Sequence, residues 1–204
     1  MNVVFDFGGV LLRWQPEEFM PRLLPRLAVD AASTRALVHD FFEGFEGDWG
    51  EFDRGRIDAD GLADRIARRT GIAAGEARFA IDAVVDELTP LADSVVLLRR
   101  LHARGHGLFF LSNMPLSYAA LLESRNDFFG LFRSGLFSSR VGLVKPEPAL
   151  FQLAIASYGV DPFDTVFIDD VERNLVAASA FGWRGILFRD APQCERELLL
   201  LSAL

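Results

Sequence analysis

Two short apolar segments, far apart in the chain, constrain the fold most strongly. Val3-Val4-Phe5 is a β-branched and aromatic run that ends at Asp6 and precedes Gly8-Gly9, a pattern typical of a buried strand entering a turn. The next such run, 108–111, lies roughly one hundred residues further on. Because a crossover between parallel strands needs only about a dozen residues or slightly more, the sequence predicts an insertion after the first strand.

The inserted segment has the apolar spacing of helices. A glycine-rich, charged stretch at 43–55 is predicted to be a loop between them. We therefore predict a helical cap at 15–90, inserted into a core made of 1–14 and 91–204. Apolar residues recur at helical intervals in three places: Phe19-Leu23-Leu24-Leu27, Leu62-Ile66, and Phe79-Val84-Val85-Leu88 ahead of Pro90.

Beyond the insertion, strand and helix patterns alternate. This alternation predicts an α/β fold with a parallel, Rossmann-like sheet covered by helices on both faces. Ligands bind such sheets at the carboxyl ends of the strands. The predicted strands are 108–111, 136–137, 165–168 and 185–188, and the predicted helices are 91–104, 116–126, one after Pro146 and Pro148, and 171–180.

Composition and charge exclude several classes of function. The chain has 21 basic and 29 acidic residues, which give a formal net charge of −8, and the basic residues are not clustered. Nucleic-acid binding needs concentrated positive charge, so it is not expected. No apolar run reaches the ~20 residues of a membrane helix, the N-terminus does not resemble a signal peptide, and Cys194 is the single cysteine. We expect a cytoplasmic protein with no membrane partner, whose oligomeric state the sequence leaves open.

Polar residues follow the predicted strands at the points where chemistry collects. Asp6 ends the first strand, Ser112-Asn113 the second, and Asp169-Asp170 the fourth, while Lys145 precedes a helix. Taken singly, an Asp after a strand is most often a turn or cap residue, and Ser-Asn before Pro115 is an ordinary helix start. Together, a nucleophilic carboxylate, a hydroxyl, an ammonium and paired acids suit phosphoryl transfer with a divalent cation.

Lys145 and the acid pair are the most specific of these signals. Lys145 is the only lysine in the chain, and a compact ammonium can sit between an aspartate and a phosphoryl oxygen, which the planar fork of arginine does less well. Helix capping explains one acid at Asp169-Asp170 but not two. Adjacent carboxylates repel each other unless a proton or a cation such as Mg²⁺ relieves them.

These residues resemble a known family. The four segments Val-Val-Phe-Asp6-Phe-Gly8-Gly-Val, Ser112-Asn113, Lys145-Pro and Phe-Ile-Asp169-Asp170-Val-Glu-Arg-Asn174 are similar, in order, to the motifs of the haloacid dehalogenase superfamily. The resemblance spans the whole chain, with the insertion where that family carries its cap. It implies a hydrolase, and more specifically a Mg²⁺-dependent phosphatase acting on a small phosphorylated molecule such as a sugar phosphate.

The resemblance also implies a role for each motif residue. Asp6 would attack phosphorus to form an aspartyl-phosphate. Ser112 and Asn113 would bind the phosphoryl group, and Lys145 would neutralise its charge. Mg²⁺ would be held by Asp6, the main-chain carbonyl of Gly8, and Asp170, with Asp169 binding directly or through water. Asn174 would orient this loop.

Gly8 departs from the family pattern. Most phosphatases of the family carry an Asp at this place, which moves the proton for the leaving group, whereas Gly8 has no side chain to do so. General acid–base help is worth ~10²–10⁴ in rate. Either catalysis is slower or another group substitutes. A branch with a similar Asp-x-Gly start is described as sugar-phosphate phosphatases.

Two other functions stay open from sequence. In a 2-haloacid dehalogenase the same Asp6 attacks carbon without a metal, although those enzymes typically lack the paired acid and begin with Asp-x-Tyr. A catalytically weak phosphate-binding or partner-binding module is the second alternative, with Gly8 as the mark of lost turnover. Cap residues that could contact substrate, or equally belong to the cap's core or surface, are Trp14, Phe45, Trp49, Arg54 and Arg56.

Overall fold

The computed structural model describes residues 1–43 and 46–201. Within these residues the strands form a five-stranded sheet in the order β3-β2-β1-β4-β5, and each neighbouring pair is parallel. The chain moves outward from β1 to β3 and resumes on the other side of β1, so a ligand crevice is expected beside the carboxyl end of β1. The strands are β1 (Asn2–Phe5), β2 (Gly107–Ser112), β3 (Ser134–Phe137), β4 (Thr165–Asp169) and β5 (Arg184–Leu187).

Helices cover both faces of this sheet. Because successive side chains of a strand point to opposite faces, Val3 and Phe5 belong to one apolar core and Val4 to a second. The predicted α/β fold is confirmed. In the described residues no helix is both long and apolar enough to cross a membrane. The helices of this part are α6 (Ala92–Ala103), α7 (Leu116–Arg125), α8 (Ser138–Val141), α9 (Pro148–Tyr158), α10 (Glu172–Ser179) and α11 (Ala191–Leu200).

The inserted segment between β1 and α6 is helical, as predicted. Its longest pair, α4 and α5, buries apolar side chains such as Ile66 and Ile81. Asp58 caps the start of α4 by accepting a hydrogen bond from the Gly61 N–H at 2.8 Å. The exact division at 14/15 and 90/91 stays a prediction. The helices are α1 (Pro16–Leu23), α2 (Ala31–Phe42), α3 (Gly47–Asp53), α4 (Ala59–Thr70) and α5 (Ala74–Glu87).

The two connections between cap and core run side by side. The Arg13 N–H donates to the Thr89 carbonyl at 2.8 Å, and the Leu91 N–H donates to the Leu11 carbonyl at 2.9 Å. Backbone pairing therefore holds the entrance and exit of the cap together above the end of β1.

The prediction of a loop across 43–55 is wrong, because α3 occupies its centre. Gly47 and Gly50 disfavour helix by roughly 1 kcal/mol each relative to alanine, which is why the local sequence indicated a loop. Tertiary packing overrides this preference, since Trp49 and Phe52 are buried in the core. The Glu43 carboxylate also accepts a hydrogen bond from the Asp48 N–H at 2.8 Å in the first turn of α3.

Candidate active site

The loops after β1, β2 and β4 surround a cavity of about 150 Å³ that the cap covers from the other side. Most of the predicted site residues line it. Ser112 and Asp169 do not, and both are almost completely buried beneath it. The predicted residues in the wall are Asp6, Gly8, Asn113, Lys145, Asp170 and Asn174.

Asp6 is held at the point where β1 ends. Its backbone N–H donates to the Ile168 carbonyl at 2.9 Å, which continues the pairing of β1 with β4. Its carboxylate Oδ1 accepts a hydrogen bond from the Phe7 N–H at 2.7 Å. The residue is only 7% exposed. Its carboxylate is thus fixed in direction and reachable only through the cavity.

Lys145 bridges two carboxylates. Its Nζ lies 2.8 Å from Oδ1 of Asp6 and 2.6 Å from Oδ2 of Asp169. Burial by itself lowers the pKa of Lys145, but the adjacent carboxylates of Asp169 and Asp6 outweigh burial and raise it. The side chain therefore stays a cation next to the nucleophile candidate.

Both carboxylate oxygens of Asp169 accept hydrogen bonds, and metal binding by this residue stays a prediction. Oδ2 accepts from Lys145, and Oδ1 accepts from the Val171 N–H at 2.8 Å. The Asn174 amide donates to both oxygens, at 3.0 and 3.1 Å. The carboxylate is fully buried, and such complete pairing is what makes a buried charge tolerable. Its direct effect is to orient the ammonium of Lys145.

Asp170 completes a group of three acids whose ligand atoms lie within 4.8 Å of one another, the others being Asp6 and Asp169. Asp170 keeps part of its surface exposed, but desolvation by the surrounding protein raises the pKa of its carboxyl, and the Asp169 carboxylate adds to the rise. Burial likewise raises the pKa of Asp6, against the opposing charge of Lys145. A cation would relieve this repulsion, so the donor set fits a hard divalent ion.

Gly9 allows the Asp170 carboxylate to approach the loop after β1. Its φ is +73°, in the region that favours glycine, and a Cβ there would lie 2.2 Å from Oδ2 of Asp170. Any other residue at this position would have a strained backbone and would have to displace the Asp170 carboxylate. The neighbouring Gly8 is different, because a Cβ there would meet nothing closer than the Trp14 Cβ at 3.9 Å.

The motif predicts that Asn113 and Ser112 bind the phosphoryl group, but in the structure Asn113 binds the backbone of Lys145 and Ser112 is buried. The Asn113 amide donates to the Lys145 carbonyl at 3.1 Å and accepts from the Lys145 N–H at 2.7 Å. These two hydrogen bonds hold the segment that carries Lys145 against the loop after β2. Ser112 is 1% exposed, and its hydroxyl has a long contact of 3.5 Å to the Asn113 carbonyl. Phosphoryl binding by these two residues stays a prediction.

Comparison with known proteins decides the family. Residues 1–182 match the haloacid dehalogenase-like hydrolases. The chain belongs to this family. It is 25% identical over 190 residues to the sesquiterpene phosphatase astK of Aspergillus oryzae, covering 92% of this chain and 89% of that protein.

Two solved structures show how widely the fold of this hydrolase is shared. The HAD family enzyme bt-2542 of Bacteroides thetaiotaomicron, in complex with magnesium and inorganic phosphate, is 21% identical with a TM-score of 0.71 over 92% of this chain and 93% of that one. The L-2-haloacid dehalogenase of Xanthobacter autotrophicus, with chloropropionic acid covalently bound, is 19% identical with a TM-score of 0.67, over 100% of this chain and 84% of that one. At these identities the likeness establishes the fold alone.

The rest of the hydrolase's cavity wall is largely apolar. Trp14 and Trp49, two of the predicted contact residues, line it. Arg54 and Arg56 do not, because Arg54 pairs with Glu147 and Arg56 with Glu51. Phe45 lies outside the described residues. The remaining apolar and aromatic wall residues are Leu88, Met114, Pro115, Tyr118 and Val171.

Sequence reasoning missed one acid of the hydrolase's cavity. Asp53, at the end of α3, lines the cavity and is only 4% exposed. It lies in the stretch predicted to be a loop, where the sequence gives no reason to predict a catalytic or binding residue. Its i, i+4 spacing from Trp49 is the signal that could have found it, since residues four apart share one helix face.

Proposed function

We propose that this hydrolase is a Mg²⁺-dependent phosphatase of small phosphomonoesters, with Asp6 as its nucleophile. One observation carries the proposal: the buried Lys145 ammonium contacts Asp6 at 2.8 Å, and the Asp170 carboxylate faces the same cavity. The cation beside the nucleophile, and a metal ion held by the second acid, would together neutralise the negative charge of a phosphoryl group.

Each residue then has a distinct part in phosphoryl transfer. Asp6 attacks phosphorus and carries the phosphoryl group as an aspartyl-phosphate. Lys145 neutralises negative charge on Asp6 and on the incoming phosphoryl oxygens, while Asp169 and Asn174 keep its ammonium in place. When bound, Mg²⁺ would be held by Asp6, Asp170 and the Gly8 carbonyl, and would supply further charge neutralisation.

The second acid favours phosphate over a haloacid. Displacement of halide from carbon needs no metal, so a carboxylate at Asp170 would only add repulsion beside Asp6. That repulsion is visible in the pKa of Asp6, which the carboxylates of Asp169 and Asp170 help to raise. The match to a curated phosphatase over 92% of the chain points the same way.

The cavity wall supports an apolar alcohol in the substrate. Of the polar wall groups, Asn113, Asn174 and Arg173 are already bound to Lys145, Asp169 and Glu46 respectively, so few donors remain to recognise the hydroxyls of a sugar. Trp14, Trp49 and Met114 instead offer apolar surface. The related Aspergillus protein is named a sesquiterpene phosphatase. We therefore expect phosphates of short apolar or aromatic alcohols to be better substrates than hexose phosphates.

A phosphate-release panel tests this function. We expect turnover of alkyl and aromatic phosphomonoesters that requires Mg²⁺, is lost with a chelator, and disappears in Asp6→Asn. Chloride release from 2-chloropropionate in the absence of Mg²⁺ would instead identify a dehalogenase. Binding of inorganic phosphate with no turnover of any ester would identify a binding module. Turnover that survives Asp6→Asn would disprove the proposed nucleophile.

A further inference from the structure

We propose that Asp53 of the cap is the catalytic proton donor and acceptor of this site, in place of the side chain that Gly8 lacks. The inference rests on the proposed phosphatase function. Asp53 and Asp6 line the same cavity, from the cap and from the sheet respectively. Asp53 therefore shares with the nucleophile the cavity in which a phosphomonoester would bind.

The cap segment that carries Asp53 is fixed to the core. The Ser138 hydroxyl donates to the Asp53 main-chain carbonyl at 2.6 Å and accepts from the Met114 N–H at 2.8 Å. Arg54, the next residue, forms an ion pair with Glu147 at 2.6 Å. Core residues on both sides thus hold the backbone of Asp53, as a catalytic group requires.

Gly55 brings the same segment still closer to the core. Its φ is +70°, and a Cβ there would lie 2.7 Å from the main-chain carbonyl of Ser139. Only glycine fits this approach without displacing backbone atoms. The end of α3 therefore meets α8 directly.

The Asp53 carboxyl lies in surroundings that favour its protonated form. It is buried at the carboxyl end of a helix, where a negative charge is unfavourable. Burial raises its pKa to about 8, with the charges of Arg54 and Lys145 opposing the rise. Asp6 adds to it, and Tyr118, whose hydroxyl donates to the Ile81 carbonyl, is the other titratable group facing it.

Burying a carboxyl to this degree destabilises a fold, so its presence in a cavity wall points to a function. Among the described residues of the cavity, it is the acid that neither contacts Lys145 nor belongs to the acid group Asp6, Asp169 and Asp170. It can therefore hold or release a proton without breaking the ion pairs of Lys145. That is the property a general acid needs.

Hydrolysis of the phosphomonoester would then take two steps, each with one proton transfer through Asp53. Asp6 attacks phosphorus, the bond from phosphorus to the ester oxygen breaks, and Asp53 gives its proton to that oxygen, so that the neutral alcohol leaves. Water then attacks the aspartyl-phosphate and passes a proton to the Asp53 carboxylate. The bond from phosphorus to Asp6 breaks, hydrogen phosphate leaves, and both residues return to their starting forms.

The test compares two substrates of similar shape with different leaving groups, 4-nitrophenyl phosphate and 2-phenylethyl phosphate. In Asp53→Asn we expect the single-turnover rate of alcohol release from the phenylethyl ester to fall ~10²–10⁴-fold. Release of nitrophenolate, which leaves without a proton, should stay within about threefold of wild type because only help to the leaving group is lost. Asp53→Glu should recover part of the phenylethyl rate.

Asp48→Asn is the matched control, because Asp48 lies on the same helix but pairs with Arg65 outside the cavity. Both rates should be unchanged in this variant. Equal losses on the two substrates in Asp53→Asn, or no loss on either, would overturn the inference. If the Asp53 variants fail to fold, the wild-type enzyme is assayed on a series of esters whose leaving groups differ in basicity. A steep dependence of rate on leaving-group basicity would overturn the inference, and a shallow dependence would support it.

The outcome is separable from that of the proposed function. If wild type hydrolyses neither ester, or if Asp6→Asn keeps its activity, the phosphatase mechanism itself fails. If Asp6→Asn is inactive while Asp53→Asn behaves like wild type on both esters, only the role of Asp53 fails.

Discussion

The ammonium of Lys145 lies 2.8 Å from the carboxylate Oδ1 of Asp6, and both side chains are buried. The same ammonium contacts Asp169 at 2.6 Å. One buried cation thus balances two buried anions. Removing it would leave both carboxylates without their counter-charge, so it matters for the stability of the fold as well as for catalysis.

Replacing Lys145 by Met is expected to reduce kcat/KM by at least ~10²-fold and to lower the free energy of unfolding by ~3–5 kcal/mol, because two charges lose their buried partner. Lys145→Arg should restore stability in part but little activity, since a planar guanidinium cannot replace a point charge between two carboxylates. Steady-state kinetics and urea denaturation would measure both effects. Wild-type kinetics in Lys145→Met would contradict the assigned role.

Asn174→Ala should act through Asp169. Losing the amide that donates to both Asp169 oxygens is expected to lower the free energy of unfolding by ~1–3 kcal/mol. We expect kcat to fall about tenfold or more as Lys145 loses its orientation, with little change in KM. A change confined to KM would instead indicate direct substrate binding by Asn174, which lines the cavity.

Asp170 and Asp169 should differ in how they depend on Mg²⁺. Asp170→Asn is expected to raise the Mg²⁺ concentration for half-maximal activity on the order of tenfold or more, with no loss of thermal stability in chelator. Asp169→Asn should lower the melting temperature even without metal, because it breaks the contact with Lys145. A Mg²⁺ titration of activity and thermal melts in chelator distinguish the two. Identical behaviour of the variants would contradict separate roles.

Gly8→Asp should rescue Asp53→Asn. A side chain fits at Gly8, where the nearest atom to a Cβ is 3.9 Å away, and it would restore a carboxyl beside the nucleophile. In the double variant we expect hydrolysis of 2-phenylethyl phosphate to recover by about tenfold or more. Gly9→Asp is the matched control and should not rescue, because a Cβ there collides with Asp170. A double variant that folds and stays as slow as Asp53→Asn would contradict the prediction.

Asp53 should also make stability depend on pH. Its pKa in the folded protein is about 8, above the ordinary value of 3.8, so between about pH 4 and pH 8 the folded state keeps a proton that the unfolded state loses. The contribution of Asp53 to stability therefore falls as pH rises through this window. Relative to wild type, Asp53→Asn should gain a few kcal/mol in free energy of unfolding from pH 5 to pH 8.

Urea denaturation in chelator at the two pH values would measure this difference. Asp48→Asn serves as the control for replacing an acid of α3, and it should follow the pH dependence of wild type. The expectation fails if Asp53→Asn and wild type change in parallel between pH 5 and pH 8.

The positions of the strands and of the motifs can be predicted from the local sequence. The apolar runs predicted at 3–5, 108–111, 136–137, 165–168 and 185–188 all coincide with strands of the structure to within two residues at either end. Strands that are buried on both faces must be continuously apolar, so this information is local and can be recovered without tertiary contacts. Polar residues at the ends of such runs, above all Asp6 and Asp169, stand out for the same reason.

The hydrogen-bond partners of the polar site residues depend on tertiary contacts and could not be predicted from the sequence. Nothing in the spacing of Asn113 and Lys145 shows that the amide of one binds the backbone of the other, because the two are 32 positions apart in the chain. The same holds for Asp169, whose partners use both its oxygens. A motif identifies the residue types, whereas hydrogen-bond saturation depends on three-dimensional contacts.

Asp53 shows this limit most clearly. The local sequence around it favours a loop, because Gly47 and Gly50 have low helix propensity. Burial of Trp49 and Phe52 stabilises the helix instead, and the contact of Ser138 with the Asp53 carbonyl joins residues 85 positions apart. Local preferences are encoded in neighbouring residues, but the placement of a cap side chain over Asp6 arises only when distant segments pack together.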